Sequence, residues 1–169
     1  MIYHNEKNQE IYNMEIRFAA ERDIPGMIEL LKQVGQVHHE IRPDLFRAGA
    51  QKYGEAELKA LLADPNRPIL LAEIEGKVAG YAFCILQETK NDPVLCDRKV
   101  LYIDDLCVDE NLRGKGFATA LYQRVLEYAK SLGCHSVTLN VWCGNDSAMA
   151  FYDKCGMKPQ KIGMETVLC

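Results

Sequence analysis

The chain has 169 residues, of which 48% are hydrophobic and 26% are charged, an ordinary composition for a globular protein. The net charge of −4 argues against a nucleic-acid partner, and no apolar run approaches the ~18 residues that a membrane span needs. The seven cysteines include no Cys-x-x-Cys pair and are odd in number, which argues against a metal site and a complete disulfide set and favours a cytoplasmic location.

Residues 1–13 are polar and lack apolar periodicity. They are predicted to be a flexible N-terminal appendage rather than a secretory signal. The alternative is a docking arm that uses Ile2, Tyr3, Ile11 and Tyr12. Residues 14–169 are predicted to form a single domain.

From residue 14 onward, apolar periodicity predicts alternating strands and helices. The predicted strands are 14–18, 69–75, 77–86, 100–108, 136–141 and 163–168. The first predicted helix begins after an N-cap at Asp23. The other predicted helices cover 54–63, 116–132 and 148–154. Glu75-Gly76 is predicted to be a hairpin turn. This order favours a mixed sheet with helices on both faces.

The most informative stretch is Arg113-Gly114-Lys115-Gly116-Phe117-Ala118, which follows an apolar strand and opens a helix. Glycines let the backbone approach a ligand closely, and the N–H groups at a helix N-terminus bind phosphate. The cationic side chains of Arg113 and Lys115 would add to that attraction. The simpler interpretation of a lone Gly-x-Gly turn is an ordinary strand-to-helix connection.

Two motifs in order make this stretch more specific. Residues 113–118 resemble the Q/R-x-x-G-x-G/A signature of the GCN5-related N-acetyltransferases (GNAT family), and residues 145–152 are similar to the family's N-x-x-A-x-x-F-Y segment. The resemblance implies an α/β acyl-CoA N-acyltransferase fold. That fold has a mixed, mostly antiparallel central sheet, a splayed V-shaped cofactor slot and helices on both faces.

The resemblance also implies acetyl-CoA as co-substrate, with no metal, and assigns residues to hold it. The phosphates would lie on Arg113, Gly114, Lys115, Gly116, Phe117, Ala118 and Thr119, and the pantetheine arm on the backbone of Leu106, Cys107 and Val108. Asn145 and Tyr152 would also contact the cofactor, with Tyr152 as the general acid for the departing thiolate. The alternatives are a packing role for Tyr152 and a helix N-cap for Asn145.

The catalytic base is sought in Asp104 and Asp105, because two carboxylates inside an apolar strand are costly unless they are used or paired. Strand alternation predicts that they point to opposite faces, with Asp104 in line with Leu106 and Val108. Acetyltransferases of polyamines and aminoglycosides resemble this acidic pair, which favours Asp104, with Asp105 second. A structural salt bridge is the alternative.

Together these features predict an enzyme that transfers acetyl from acetyl-CoA to a primary amine of a small molecule or peptide. The rivals are a protein lysine or N-terminal acetyltransferase and a non-catalytic acyl-CoA-binding regulatory module. Some family members that act on protein N-termini carry glutamate where this chain has Asn140, which counts against an N-terminal acetyltransferase. Family members often form homodimers, although no segment of this sequence identifies a dimer surface.

Overall fold

A computed structural model describes residues 13–168, so the predicted appendage lies almost wholly outside the described residues. The strands are Met14–Phe18 (β1), Ile69–Ile74 (β2), Lys77–Thr89 (β3), Arg98–Val108 (β4) and Ser136–Leu139 (β5). The helices are Ile24–Ile41 (α1), Glu55–Leu62 (α2), Phe117–Ser131 (α3) and Asp146–Lys154 (α4), with short 3-10 turns at Glu21–Asp23 and Glu110–Leu112.

The five strands form one sheet in the order β1-β2-β3-β4-β5. Neighbouring strands are antiparallel except for β4 and β5, which are parallel. Residues Glu75 and Gly76 both have positive φ and connect β2 to β3, which confirms the predicted hairpin. The predicted mixed, mostly antiparallel sheet is therefore confirmed.

Each face of the sheet is covered by its own apolar cluster. On one face, α1 and α2 contribute residues such as Met27, Leu31 and Leu58, which we call the α1-side core. On the other face, α3 contributes Phe117 and Leu121 to the α3-side core. Within residues 13–168, no helix combines the length and apolar character that crossing a bilayer requires.

The predicted closing strand at 163–168 is wrong. Residues 158–168 form no regular element, and in the described chain the sheet ends at β5. A strand is stabilised by ladder hydrogen bonds and by burial of one face. Here Ile162 is 80% exposed and Met164 is 90% exposed, so these side chains gain little burial to support pairing.

Several predicted boundaries also change by a few residues, as the ranges of β3, β4 and α4 show. β5 stops at Leu139 rather than at residue 141, and α1 continues to Ile41. His38 and His39 therefore lie in the last turn of α1.

A buried ionic network ties β1 to the start of α1 and to β2. The guanidinium of Arg17 donates to both oxygens of Asp23, at 2.7 and 2.8 Å, and also to Glu73. Asp23, predicted as the N-cap of α1, stands at that position, but its side chain accepts from the Ala20 N–H at 2.8 Å instead of capping α1. The hydrogen bond from Arg17 holds the pKa of Asp23 below its usual range.

We predict that Asp23→Ala destabilises the fold by about 3 kcal/mol at pH 7, because it leaves a largely buried guanidinium without one of its partners. Since the pKa of Asp23 is depressed in the folded state, its stabilisation is present above the unfolded pKa of about 3.9 and is lost as pH falls through the folded value. Urea unfolding should show that the free energies of unfolding of Asp23→Ala and wild type differ less near pH 3 than at pH 7. Glu55→Ala, which removes an exposed partner of Lys59, is the control and should cost about 0.5 kcal/mol or less.

Candidate active site

A β-bulge in β4 determines where the two acidic side chains point. The register with β3 passes from Phe83 opposite Asp105 to Cys84 opposite Ile103, so Asp104 is the extra residue of the bulge. An extra residue interrupts strict alternation. Ile103 packs in the α3-side core, whereas the carboxylates of both Asp104 and Asp105 make their contacts with residues of the α1 side.

The prediction that these carboxylates occupy opposite faces is therefore wrong. The alignment of Asp104 with Leu106 and Val108 is wrong as well, because those two side chains pack against the α3-side core. The physical reason is the bulge, which offsets the alternation by one residue at Asp104. Both carboxylates can consequently serve one site.

Asp104 is held from the loop between α1 and α2. One of its oxygens, Oδ2, accepts from Lys52 Nζ at 2.7 Å and from the Tyr53 hydroxyl at 2.9 Å. Burial lowers the pKa of Lys52, but the hydrogen bond and charge of Asp104 outweigh that effect and raise it. The salt bridge foreseen as the alternative for the acidic pair thus exists at Asp104, with an exposed lysine that leaves solvent access to the pair.

Asp105 is held from within the sheet. Its Oδ2 accepts from the hydroxyl of Tyr81, a fully buried residue of β3, at 2.9 Å. Burial raises the pKa of Asp105 to about 6, against the opposing effects of the Tyr81 hydrogen bond and the Lys52 charge. At neutral pH this carboxyl is mostly ionised yet close to its titration range, which is the condition that general base catalysis favours.

A slot opens beside the bulge where β4 and β5 diverge. The two strands pair only from Val100 to Ile103, while β4 continues to Val108. On that edge, no ladder within residues 13–168 continues past Ile103. This divergence confirms the predicted splay of the sheet, and it leaves the backbone of 104–108 able to pair with an extended ligand.

The residues predicted to hold the cofactor arm, Leu106, Cys107 and Val108, lie on this divergent edge, with their side chains in the two cores. The Cys107 thiol is only 5% exposed, and burial raises its pKa to about 12. A thiol with such a pKa is a poor nucleophile at neutral pH. The contribution expected of these residues is therefore that of their backbone groups.

The predicted phosphate cradle, Arg113–Thr119, connects β4 to α3. Gly114 has φ +76° and Gly116, the N-cap of α3, has φ +91°, which side-chain-bearing residues rarely adopt. The Ala120 N–H donates to the Gly116 carbonyl at 3.0 Å, so Ala118 and Thr119 precede the first helical hydrogen bond. Their N–H groups have no intrahelical partner, and together with the helix dipole they fit a phosphate group.

Asn145 and Tyr152 belong to α4. The Asn145 side chain accepts from the Ala148 N–H at 3.2 Å, so it is the N-cap of α4, as the alternative interpretation held. Tyr152 packs against Tyr122 and Phe151 in edge-on ring contacts. Burial and then the charge of Asp105 raise the pKa of Tyr152, so its phenol is protonated at neutral pH. Cofactor contact by either residue stays a prediction.

One functional candidate was missed by sequence reasoning. Lys52 belongs to no recognised motif. It contacts Asp104 only because the fold brings the loop after α1 next to β4, although the two residues are 52 positions apart in the sequence. The same loop holds Phe46, whose ring packs between His38 and Trp142. His38 is half-buried there, and burial followed by the nearby Lys52 charge lowers its pKa.

The sheet splays beside a glycine-bearing helix start, with carboxylates on one side and a protonated phenol on the other, which is an arrangement that suits an acyltransferase. The family model described as "Acetyltransferase (GNAT) family" matches residues 34–157. The chain belongs to that family, and its relatives are N-acetyltransferases, which confirms the predicted class of enzyme.

Three similarities illustrate this membership. An uncharacterised N-acetyltransferase of Methanocaldococcus jannaschii is 27% identical over 157 residues, which are 90% of this chain and 66% of that protein. Glucosamine 6-phosphate N-acetyltransferase 1 of Oryza sativa subsp. japonica is 31% identical, over 82% of this chain and 77% of the relative. The crystal structure of a mutant of the BH1408 protein from Bacillus halodurans superposes with TM-score 0.88 at 32% identity, over 92% of this chain and 99% of that one.

We predict that Asp105→Asn removes the part of the pH dependence of the unfolding free energy that comes from the titration of Asp105. Because burial raises the folded pKa of Asp105 to about 6, the unfolded chain releases this proton first, and wild-type stability falls as pH rises from about 4 to 6. The loss should be about 3 kcal/mol, and urea unfolding across pH 4–8 would measure it.

Tyr81→Phe and Glu29→Gln serve as the comparison variants. Tyr81→Phe removes the hydroxyl whose hydrogen bond lowers the pKa of Asp105, so the fall in stability should extend to higher pH. Glu29→Gln, an exposed carboxylate, should reproduce the wild-type profile. A profile that is identical in wild type and Asp105→Asn would contradict this account of the buried carboxyl.

Proposed function

We propose that this enzyme transfers an acetyl group from acetyl-CoA directly to a primary amine of a small molecule or a peptide. The observation that carries the proposal is the bulge at Asp104, which gives two carboxylates to one face beside the divergence of β4 and β5. A cationic amine is attracted by such a pair, and a neutral amine is the nucleophile that it can generate.

In the proposed reaction, Asp104 or Asp105 takes a proton from the acceptor ammonium, directly or through water. Asp105 is the better suited of the two by its pKa of about 6. This modifies the preference for Asp104 that sequence resemblance suggested. Asp104 would orient the amine, since its own Oδ2 already accepts from Lys52 and Tyr53.

The neutral nitrogen attacks the thioester carbonyl, and N–H groups along 104–108 stabilise the oxyanion. The carbon–sulfur bond then breaks, and Tyr152 gives its proton to the CoA sulfur. The nitrogen loses its second proton, which returns to the Tyr152 phenolate. The raised pKa of Tyr152 keeps its phenol protonated and able to donate a hydrogen bond to the sulfur, and the charge of Asp105 contributes to that rise. Acetyl-CoA supplies the activated acyl group, and the buried Cys107 thiol offers no competing nucleophile.

The acceptor class rests on charge and on one relative. The acidic pair favours a cationic amine, and the name of the Oryza sativa relative specifies an amino sugar phosphate. Amino sugar phosphates therefore belong in the first amine panel, beside polyamines, aminoglycosides and lysine peptides. Protein lysine acetylation would appear as selective labelling of the peptides in that panel.

We predict that acetyl-CoA yields an acetylated amine from this panel, detected by mass spectrometry because the seven cysteines would interfere with a thiol dye. Tyr152→Phe should lower kcat by about 10²-fold, the typical contribution of a general acid. Asp105→Asn should lower kcat/KM by a similar factor and remove the decrease in kcat/KM that wild type shows as pH falls below about 6.

The panel also separates the alternatives. Cofactor binding without any acetylated product would favour the non-catalytic acyl-CoA-binding module over the enzyme. A product whose kcat is unchanged in Tyr152→Phe would keep the activity and eliminate Tyr152 as the acid. Circular dichroism of each variant verifies that a loss of activity is not a loss of fold.

We further predict that Gly116→Ala weakens acetyl-CoA binding about tenfold or more, equivalent to about 1.4 kcal/mol. A residue with a side chain is strained at φ +91°, so the start of α3 must shift. Its N–H groups then no longer point at the proposed phosphate position. Gly133→Ala is a matched control, since Gly133 follows the other end of α3 with φ +68°. Both variants should lose roughly 1 kcal/mol of stability, but only Gly116→Ala should lose affinity in calorimetric titration.

A further inference from the structure

Lys52 places an amine of the protein itself against the acidic pair. Its Nζ lies 2.7 Å from Asp104 Oδ2, and its charge also acts on Asp105. In the proposed function, the acceptor's ammonium must occupy this same position. Lys52 is thus bound as a substrate would be bound.

This contact differs from the other lysine ion pairs of the described chain. Lys32–Glu29, Lys59–Glu55, Lys90–Glu88 and Lys158–Asp153 join residues close in sequence on the surface, and Lys99–Glu88 joins the exposed ends of the neighbouring strands β3 and β4. Lys52, by contrast, reaches from a loop to a central strand, where Asp104 is only 17% exposed at its side chain. The loop position and the flexible four-carbon stem let the amine move without breaking a helix or a strand.

The acidic pair also connects Lys52 to the predicted acid. The Lys52 charge acts on Asp105, and the Asp105 charge acts in turn on Tyr152. These groups therefore form one electrostatic unit along the slot. The Lys52 side chain is 44% exposed, so its amine is the part of that unit that solvent reaches most easily.

We propose that Lys52 is an internal acceptor, acetylated by its own active site from acetyl-CoA. The inference depends on the proposed function, because the same groups must carry the reaction. The Lys52 ammonium gives a proton to the carboxylate of Asp104, and its neutral nitrogen forms the new bond to the acetyl carbon. The carbon–sulfur bond of acetyl-CoA breaks, and the sulfur leaves as CoA thiol with the proton of Tyr152. The nitrogen then loses its second proton, which returns to the Tyr152 phenolate. The product is an amide at Lys52 that carries no charge and no longer pairs with Asp104.

The test follows acetylation of the full chain with acetyl-CoA by peptide mass spectrometry over time. Lys59 is the matched internal control, because its Nζ lies 2.8 Å from Glu55 and its side chain is 50% exposed, against 44% for Lys52. Chemical acetylation by the thioester would label both lysines alike. The same reaction in urea, where the site is unfolded, gives the intrinsic ratio of the two labels.

We expect native Lys52 to be acetylated at least about tenfold faster than Lys59, with the ratio near one in urea, since only the folded site positions the amine. The rate per molecule should not depend on protein concentration. Lys52→Arg should remove this label and leave the label on Lys59 unchanged. Equal labelling of both lysines in the native protein would overturn the proposal, and so would a rate proportional to protein concentration, which indicates transfer between copies.

A parallel reaction with the amine panel separates this inference from the proposed function. Turnover of panel amines without preferential Lys52 acetylation overturns the inference and leaves the enzyme intact. Preferential Lys52 acetylation without panel turnover supports the inference and directs the search for acceptors elsewhere. Absence of both overturns the inference together with the function on which it depends.

Discussion

The bulge of β4 at Asp104 is the constraint on which the site depends. Up to Ile103 the strand is paired on both edges, with β3 on one side and β5 on the other. At the next residue the pairing with β5 has ended and the alternation of side chains is offset. A single irregularity thus accompanies both the opening of a backbone edge and the placement of two carboxylates beside it.

Two like charges inside a sheet are unfavourable without compensation. The structure compensates them from different directions, with the Tyr81 hydroxyl on Asp105 and with Tyr53 and Lys52 on Asp104. The two carboxyls therefore have different environments, one held inside the sheet and one paired at the surface. A difference of this kind lets one group titrate near neutral pH while its neighbour orients a cation.

The two faces of the sheet supply opposite halves of the proposed chemistry. The α1 side carries the acidic pair and the loop with Lys52, whereas α4, on the α3 side, carries the protonated phenol of Tyr152. These halves interact electrostatically, since the charge of Asp105 contributes to the raised pKa of Tyr152. The glycine-bearing start of α3 lies after the far end of β4, so that one strand connects the cradle to the acid–base groups.

Local sequence determined much of this. Apolar periodicity predicted the strands and helices, because burial of one face requires it, and the glycines at 114 and 116 marked the left-handed turn before α3. The two motifs identified the family. Tertiary structure alone decided the rest. The bulge at Asp104 exists through its register with β3, and Lys52 reaches the pair across 52 residues. The 163–168 segment has strand-like composition but remains unpaired, since a strand needs a partner edge and a buried face that local sequence does not encode.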